Sequence, residues 1–386
     1  VKDLDGGDLP NGEVIDAVSL VSADGVDAST DADVGTYSDN ISIAETSADN
    51  QTLTGSNGFD QENYDISYET GNLTINRRAI TLKASDQEKI YGEELDLGST
   101  AFTVVDIEGG DSWLPNAESI NSVIFHSKNG VDLSRSAGVR TYSENIFIEP
   151  TAQGAETISG SGNMSAVFNQ ENYDISYEPG NLTITPRKIT LTASDQEKIY
   201  GNVLDLDSTK FTVEDLDGGD LPNGEVIDTV SLVSENGVDV STTKAKGLYE
   251  GNISITATSA DNQTLTGSNG FDQENYDINY KTGNLTINRR AITLKASDQE
   301  KNYGVDWDLG STKFTVKDLD GGDLPNGEKI TSVSLVSADG VDASTDADVG
   351  TYSDNISITA TSADNQTLTG SYGFDQKNYD ISYETG

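Results

Sequence analysis

A phrase built on Asn-Tyr-Asp-Ile returns at fixed distance along the chain, and that periodicity constrains the fold more than any other feature. With the tyrosine as marker, copies fall at Tyr64, Tyr173, Tyr276 and Tyr379. The spacings are 173−64 = 109, 276−173 = 103 and 379−276 = 103 residues. A period near one hundred is too long for a solenoid, whose units run to about 20–50 residues, and matches one small domain per repeat. Around each marker the apolar residues alternate: Tyr64, Ile66 and Tyr68, then Leu73 and Ile75, then Ile80 and Leu82. Period two is the signature of half-buried strands, so the last strand of one repeat runs almost directly into the first of the next.

Alternating segments punctuated by Asp-Gly, Asn-Gly and Gly-Gly, together with 38 glycines, predict an all-β chain. The boundaries expected are a partial repeat over 1–76, full repeats over 77–185 and 186–288, and a fourth over 289–386 without its closing Asn-Leu-Thr-Ile strand. Val1 corresponds to Val316, well inside the fourth repeat, so both end copies read as pieces of a longer protein. Their missing strands are expected from the continuing polypeptide, or from a neighbouring subunit by strand addition. In the third repeat, strands are predicted near Lys188–Ala193, Lys210–Glu214, Val226–Ser234, Gly251–Thr258, Tyr276–Tyr280 and Asn284–Ile287, six or seven per domain. Asn236-Gly237, matched by Asp24-Gly25, Asn129-Gly130 and Asp339-Gly340, predicts a hairpin after Val226–Ser234, because both turn residues accept positive φ.

Charge and composition exclude several functions. There are 66 acidic against 23 basic residues, a net charge of −43, which repels nucleic acid and anionic membrane surfaces. With no cysteine the chain has neither disulfides nor thiol chemistry. An acidic repeat array of this kind suits bacterial surface export. No apolar run reaches about 18 residues and no signal peptide is visible.

The succession Lys198-Ile-Tyr-Gly201, Asp215-Leu-Asp-Gly-Gly-Asp-Leu221, Gly247-Leu-Tyr249, Asn252-Ile-Ser-Ile255, Asn275-Tyr-Asp-Ile278 and Gly283-Asn-Leu-Thr-Ile287 resembles the bacterial MBG domains of the Tyr-Gly type. These recur in large bacterial surface proteins and adhesins. The resemblance implies a stalk or adhesive repeat with no catalytic residues to carry over. The acidity and the length near 103 residues depart from the family's pattern, which predicts extra strands or loops.

Three features are candidates for chemistry. The acidic turn Asp215, Asp217, Asp220 places three carboxylates around a glycine pair, a set that could wrap a hard oxygen-seeking cation such as calcium. It recurs as Asp3, Asp5, Asp8, as Asp106, Glu108, Asp111, and as Asp318, Asp320, Asp323. The spacing is not that of an EF-hand, and a solvated turn bonding its own backbone is the alternative. Acids in another loop, Asp24, Asp27, Asp31 and Asp33, are not held as a ligand set, since Thr243 and Ala245 replace the last two in the third repeat. The tyrosines offer carbohydrate stacking, against the plainer reading of core residues with bonded hydroxyls. For the latter the expected inward set in the second repeat is Tyr142, Ile146, Ile148, Phe168, Tyr173, Ile175 and Tyr177.

Catalysis finds no footing. The sole histidine, His126, stands where other repeats have Val21, Val233 and Val336, so no repeated triad or zinc site includes it. A Lys-to-Asn cross-link through Lys89, Lys198 or Lys301 needs a buried lysine, and these sit among Asp, Gln and Glu. Asn72, Asn181 and Asn284 form Asn-Leu-Thr glycosylation acceptors, a pattern also ordinary in turns of bacterial β repeats.

The sequence therefore predicts tandem small Ig-like β-sandwich domains in an elongated rod, with a β-grasp-like repeat as the other topology. The expected role is an extracellular, non-enzymatic stalk or filament segment of a bacterial surface protein, without cofactor unless calcium binds. Its partners would be neighbouring repeats or identical subunits. The alternative is a multivalent module for host or biofilm glycan or protein, weak at each repeat and firm by avidity.

Overall fold

The computed structural model describes residues 1, 3, 5–44, 53–106, 114–150, 158–161, 168–256, 265–318, 320–359 and 368–386, with Asp106 described in its backbone only. Glu108, Asp111, the Ser112-Trp113 insertion and most of the longer loop before Phe168 lie outside the described residues. The chain is all-β. It divides into two compact units, Val1–Thr185 and Pro186–Gly386.

The third repeat shows the plan. Its strands are β1 (Arg187–Ala193), β2 (Gln196–Ile199), β3 (Phe211–Asp215), β4 (Val226–Thr229), β5 (Leu232–Ser234), β6 (Gly247–Ile255), β7 (Thr266–Ser268), β8 (Tyr276–Lys281) and β9 (Gly283–Asn288). One sheet runs β3-β1-β8, a second runs β2-β9-β6-β5, and β4 pairs with β7 as a separate ribbon. β1 lies parallel to β8, with Leu191 opposite Tyr280, and β2 lies parallel to β9, with Lys198 opposite Ile287. The other pairs are antiparallel. The second repeat carries the same order, its β1 being Arg78–Ala84 and its β8 Tyr173–Glu178.

Alternation places the core. Along β1 the buried positions are Arg187, Ile189, Leu191 and Ala193; along β9 they are Gly283, Leu285 and Ile287. Each fully buried aliphatic side chain contributes roughly 1.5–3 kcal/mol. In the second repeat Ile80, Leu114 and Tyr173 form the centre, packed by Val104, Ile120, Phe168 and Ile175. Of the expected inward set, Ile146, Ile148 and Tyr173 are buried and Tyr142, Phe168, Ile175 and Tyr177 half-buried. The tyrosine hydroxyl at the start of β6, or just ahead of the corresponding strand Ile356–Ile358 in the fourth repeat, donates to a carbonyl four residues earlier: Tyr37 to Asp33, Tyr142 to Gly138, Tyr249 to Ala245 and Tyr352 to Asp348.

Successive strands change sheets at two corners that touch. β1 passes to β2 through Ser194-Asp195, and β8 to β9 through Thr282 alone. The Asp195 carboxylate accepts from Asn284 N at 2.7 Å and from Asn284 Nδ2 at 3.1 Å, tying one corner to the other. A Cβ on Gly283 would strike the carbonyl of Ala193, so only glycine permits the approach. The second repeat repeats the tie with Asp86 and Asn181.

Several expectations are corrected here. The segment read as one strand, Val226–Ser234, is two, with β4 in the ribbon and β5 in the larger sheet. Among the described residues of the third repeat nine strands form where six or seven were expected, because β2 and β7 carry little apolar pattern. Asn236 does adopt φ 56°, yet the turn is a 3-10 turn, Glu235–Gly237, inside a longer connection to β6 and not a two-residue hairpin. Ser234 Oγ supports it by donating to Asn252 Oδ1 at 2.6 Å and accepting from Asp239 N at 3.1 Å.

The lysines expected among solvated Asp, Gln and Glu are instead turned inward. Lys89 and Lys198 are buried, and Lys301 is partly so. Lys198 Nζ donates to the carbonyls of Val238, Asp239 (2.8 Å) and Ser241 (2.6 Å). Lys89 donates likewise to Val131, Asp132 and Ser134, and Lys301 to Val341, Asp342 and Ser344. Converging carbonyls from the connection before β6 thus replace the water that an ammonium loses on burial. Burial still pulls Lys89 and Lys198 below the ordinary lysine value.

Candidate functional site: the seam between repeats

Within the second unit, the third and fourth repeats meet through residues that the sequence keeps far apart. Tyr200, one residue past β2, is followed by Gly201 with φ 85°, and a Cβ there would lie 2.5 Å from Pro325 of the fourth repeat. The glycine lets the turn press against that proline. Tyr200 Oη donates to Glu328 Oε1 at 2.5 Å, while Tyr379 Oη donates to Glu328 Oε2 at 2.8 Å. The tyrosine rings meet edge to face, 5.6 Å between centroids, and all three residues are buried. One carboxylate therefore joins a tyrosine of its own repeat to a tyrosine of the preceding one.

Arg290 completes the seam. Its Nε and Nη2 hold both oxygens of Asp318, at 2.6 and 2.5 Å, and Nη2 also donates to Asp320 at 2.6 Å. Its free edge, Nη1, reaches across to Asn202 Oδ1 at 2.8 Å and to Tyr200 O at 3.4 Å. A bidentate fork of this kind is rigid, so the acidic turn aims the arginine at the neighbouring repeat. Two further bonds flank it: Lys246 N to Asn378 Oδ1 at 2.9 Å, and Asn326 Nδ2 to Thr242 O at 3.0 Å.

The first unit repeats the flanking pair between its own two repeats. Val34 N donates to Asn172 Oδ1 at 2.9 Å, and Asn116 Nδ2 to Thr30 O at 2.7 Å. Val34 and Thr30 occupy the places of Lys246 and Thr242, so the same docking geometry arises twice. Asn172 Nδ2 adds a bond to Asp33 Oδ1 at 2.9 Å. The carboxylate-to-tyrosine bond inside each repeat also recurs, as Tyr64 to Glu13 (2.6 Å), Tyr173 to Glu118 (2.8 Å) and Tyr276 to Glu225 (2.7 Å).

The electrostatics follow from these contacts. The Glu13 hydrogen bond, followed by burial, pushes the Tyr64 phenol up to about 12. Tyr200 and Tyr379 are raised first by burial and then by the Glu328 bond. Burial raises Glu118 despite the bond from Tyr173. Burial also pushes the Asp215 carboxyl up, but the Arg187 guanidinium outweighs it and holds the group below the ordinary value.

The predicted cation turn thus has partners that its spacing did not disclose. Arg187 donates to Asp215 at 2.7 and 2.6 Å and to Asp217 at 2.6 Å, as Arg290 does to Asp318 and Asp320. Calcium would have to displace a guanidinium to take those two acids. Asp220 and Asp323 are exposed, as are Asp3, Asp5 and Asp8, where the local fold is a backbone turn from Gly6 N to Asp3 O at 2.8 Å. Among the described residues no group of three or more His, Asp or Glu side chains gathers as a metal site.

The other candidates also find places. Asn181 and Asn284 commit their amide nitrogens to Asp86 and Asp195, while their oxygens accept from Glu144 N and Gly251 N. His126 lies on an exposed strand position, 3.1 Å from Glu149. What sequence reasoning missed was the arginine at the start of each β1, at 78, 187 and 290, although its recurrence at the repeat spacing was there to be read.

No family description and no curated protein matches the chain. Among solved structures the chain is similar to the Bacillus anthracis TIE protein at 12 % identity and a TM-score of 0.20, over 97 % of this chain. The chain spans 65 % of that protein's length. A likeness at that level carries no argument about fold or function.

Proposed function

We propose that this chain is a structural stalk segment of a bacterial cell-surface protein, extracellular and non-enzymatic, in which Ig-like or closely similar repeats set length by copy number. The observation that carries the reading is the seam. A buried carboxylate shared by two tyrosines, beside an arginine locked onto an acidic turn, couples one repeat to the next with fixed geometry. Groups that could have formed a ligand site are turned into the protein's own joints. Two facing sheets and the tyrosine bonded four residues back support the Ig-like reading, since β-sandwiches use the same device. The motif resemblance to MBG repeats points to the same surface setting. Calcium at the acidic turns is a secondary proposal, and a calcium-dependent rise in melting temperature would support it.

Single-molecule pulling on the chain tests the stalk reading. Repeats joined by such seams should resist extension as serial folded modules, and Tyr200→Ala should lower the force at which the third and fourth repeats part. Extension without force peaks would overturn it. The adhesive reading predicts instead that immobilised chain captures glycan or protein from an array with avidity rising with copy number.

A further inference from the structure

The two internal seams share their flanking bonds but not their charges. In the first unit the loop before β6 reads Asp31-Ala32-Asp33-Val34, and the second repeat brings Ser119 and Glu171 to the same seam. In the second unit that loop reads Thr243-Lys244-Ala245-Lys246, and the fourth repeat brings Lys329 and Lys377. Three acids in one seam are thus replaced by four lysines in the other. The seam bonds gather them: Asn378, next to Lys377, accepts from Lys246 N at 2.9 Å, and Asn326, just before Lys329 in the chain, donates to Thr242 O at 3.0 Å, just before Lys244. All four are exposed, and none forms an ion pair with a described residue. Docking does not require them, since the first unit makes the same pair of bonds with acids in their place.

Tyr372 adds an aromatic surface to this rim. It takes the turn position that Asn57 and Asn269 hold in the first and third repeats, where each amide donates to a carbonyl of the neighbouring turn, Gly12 O and Gly224 O, at 2.9 Å. Tyrosine cannot make that bond and holds φ 58°, a backbone conformation costly for a bulky side chain. It is 73 % exposed although the third repeat is docked beside it, and Lys329 Nζ stands 5.8 Å from its ring centroid. The fourth repeat therefore gives up a hydrogen bond and accepts strain to present a ring among unpaired cations.

We propose that this rim binds an acidic saccharide, with the lysines taking uronate-type carboxylates and the Tyr372 ring taking the apolar face of a sugar. The inference goes beyond the stalk reading, because it makes one seam a binding place and leaves the coupling of the repeats unchanged. Charge complementarity selects the occupant. On a chain of net charge −43, a nucleic acid or an anionic membrane would set its charge against the acidic body on either side. A short saccharide lies within the ~8 Å over which charges act at physiological salt, so it meets the lysines first.

Calorimetric titration of the full chain with a short oligogalacturonate, in about 0.15 M salt, tests this. A neutral glucan of equal length and tripolyphosphate serve as comparison ligands. The other repeats supply substitutions that the fold already accepts: Tyr372→Asn, Lys329→Val and Lys377→Glu each install a residue found at that place elsewhere in the chain. Oligogalacturonate should bind once per chain and the glucan should not. Tyr372→Asn should weaken binding roughly tenfold while the chain melts no lower than wild type, and the two lysine substitutions together should weaken it by about tenfold or more. No binding up to about 1 mM oligogalacturonate overturns the proposal. So does binding indifferent to Tyr372→Asn, a glucan that binds equally well, or tripolyphosphate bound as tightly as the saccharide, which would mark a bare anion site. The coupling of the repeats is read separately, in the Tyr200→Ala chain.

Discussion

Tyr200 and Glu328, separated by 128 positions in the chain, share a hydrogen bond of 2.5 Å buried between the third and fourth repeats. Glu328 is held from the other side by Tyr379. A buried carboxylate is costly unless its oxygens are bonded, and here each accepts a phenol. Removing either tyrosine hydroxyl exposes that cost.

Tyr200→Phe should therefore lower stability by about 1.5–3 kcal/mol, the range for hydrogen bonds to charged groups. Glu328→Gln should cost a similar amount. In a double-mutant cycle read by urea unfolding the pair should show a coupling on the order of 1–2 kcal/mol. Additive losses would mean that the bond does not join the repeats energetically.

Arg290→Gln should be more severe, at about 3–5 kcal/mol, because it leaves the Asp318 carboxylate buried without its partner. Asp320→Asn should cost only about 0–1 kcal/mol, since that side chain is largely exposed. The same contrast is expected for Arg187 against Asp217. With the guanidinium in place, melting temperatures in calcium and in chelator, both at high salt, should be equal; a calcium-dependent rise would restore the metal reading of the turn.

Much of this was legible in advance, and what was not has physical reasons. β1, β3, β6, β8 and β9 show apolar alternation, so their presence and approximate extent could be read. β2 could not, because its inward residue is Lys198, a charge whose partners are carbonyls some 40 positions away. β7 could not, because Thr266–Ser268 is exposed throughout. The acidic turn was visible as three acids, but its meaning depends on an arginine 28 residues earlier and a tyrosine in another repeat. Spacing within a motif does not reveal such contacts, whereas comparing repeats for constant charged residues would have flagged Arg187 and Arg290.

Lys198→Met, which keeps the stem and removes the ammonium, should destabilise the chain by roughly 2 kcal/mol or more by freeing three carbonyls from their common donor. Hydrogen exchange should rise first in the segment from Val238 to Ser241. Unchanged exchange there would show that the lysine does not organise the connection.

Alkaline stability should fall in a defined window. Tyr64, Tyr200 and Tyr379 have folded values raised above the ordinary 10.0. Between the unfolded and folded values the folded chain binds more protons than the unfolded one, so stability drops as pH rises. The contribution is complete below about pH 10 and is lost from there through about 12 for Tyr64 and beyond. Absorbance titration should find these phenols ionising late and together with unfolding; ionisation of all tyrosines near pH 10 in a folded chain would contradict the buried bonds.

The most direct test of the stalk is small-angle scattering of the intact chain beside the Tyr200→Ala, Glu328→Ala double variant. A docked seam between the third and fourth repeats predicts a wild-type profile without the extra flexibility of freely jointed repeats. It also predicts a flexible profile in the double variant that the wild type lacks. A wild-type profile as flexible as that of the double variant, or one that the double substitution leaves unchanged, would contradict the claim that the seam fixes one repeat against the next.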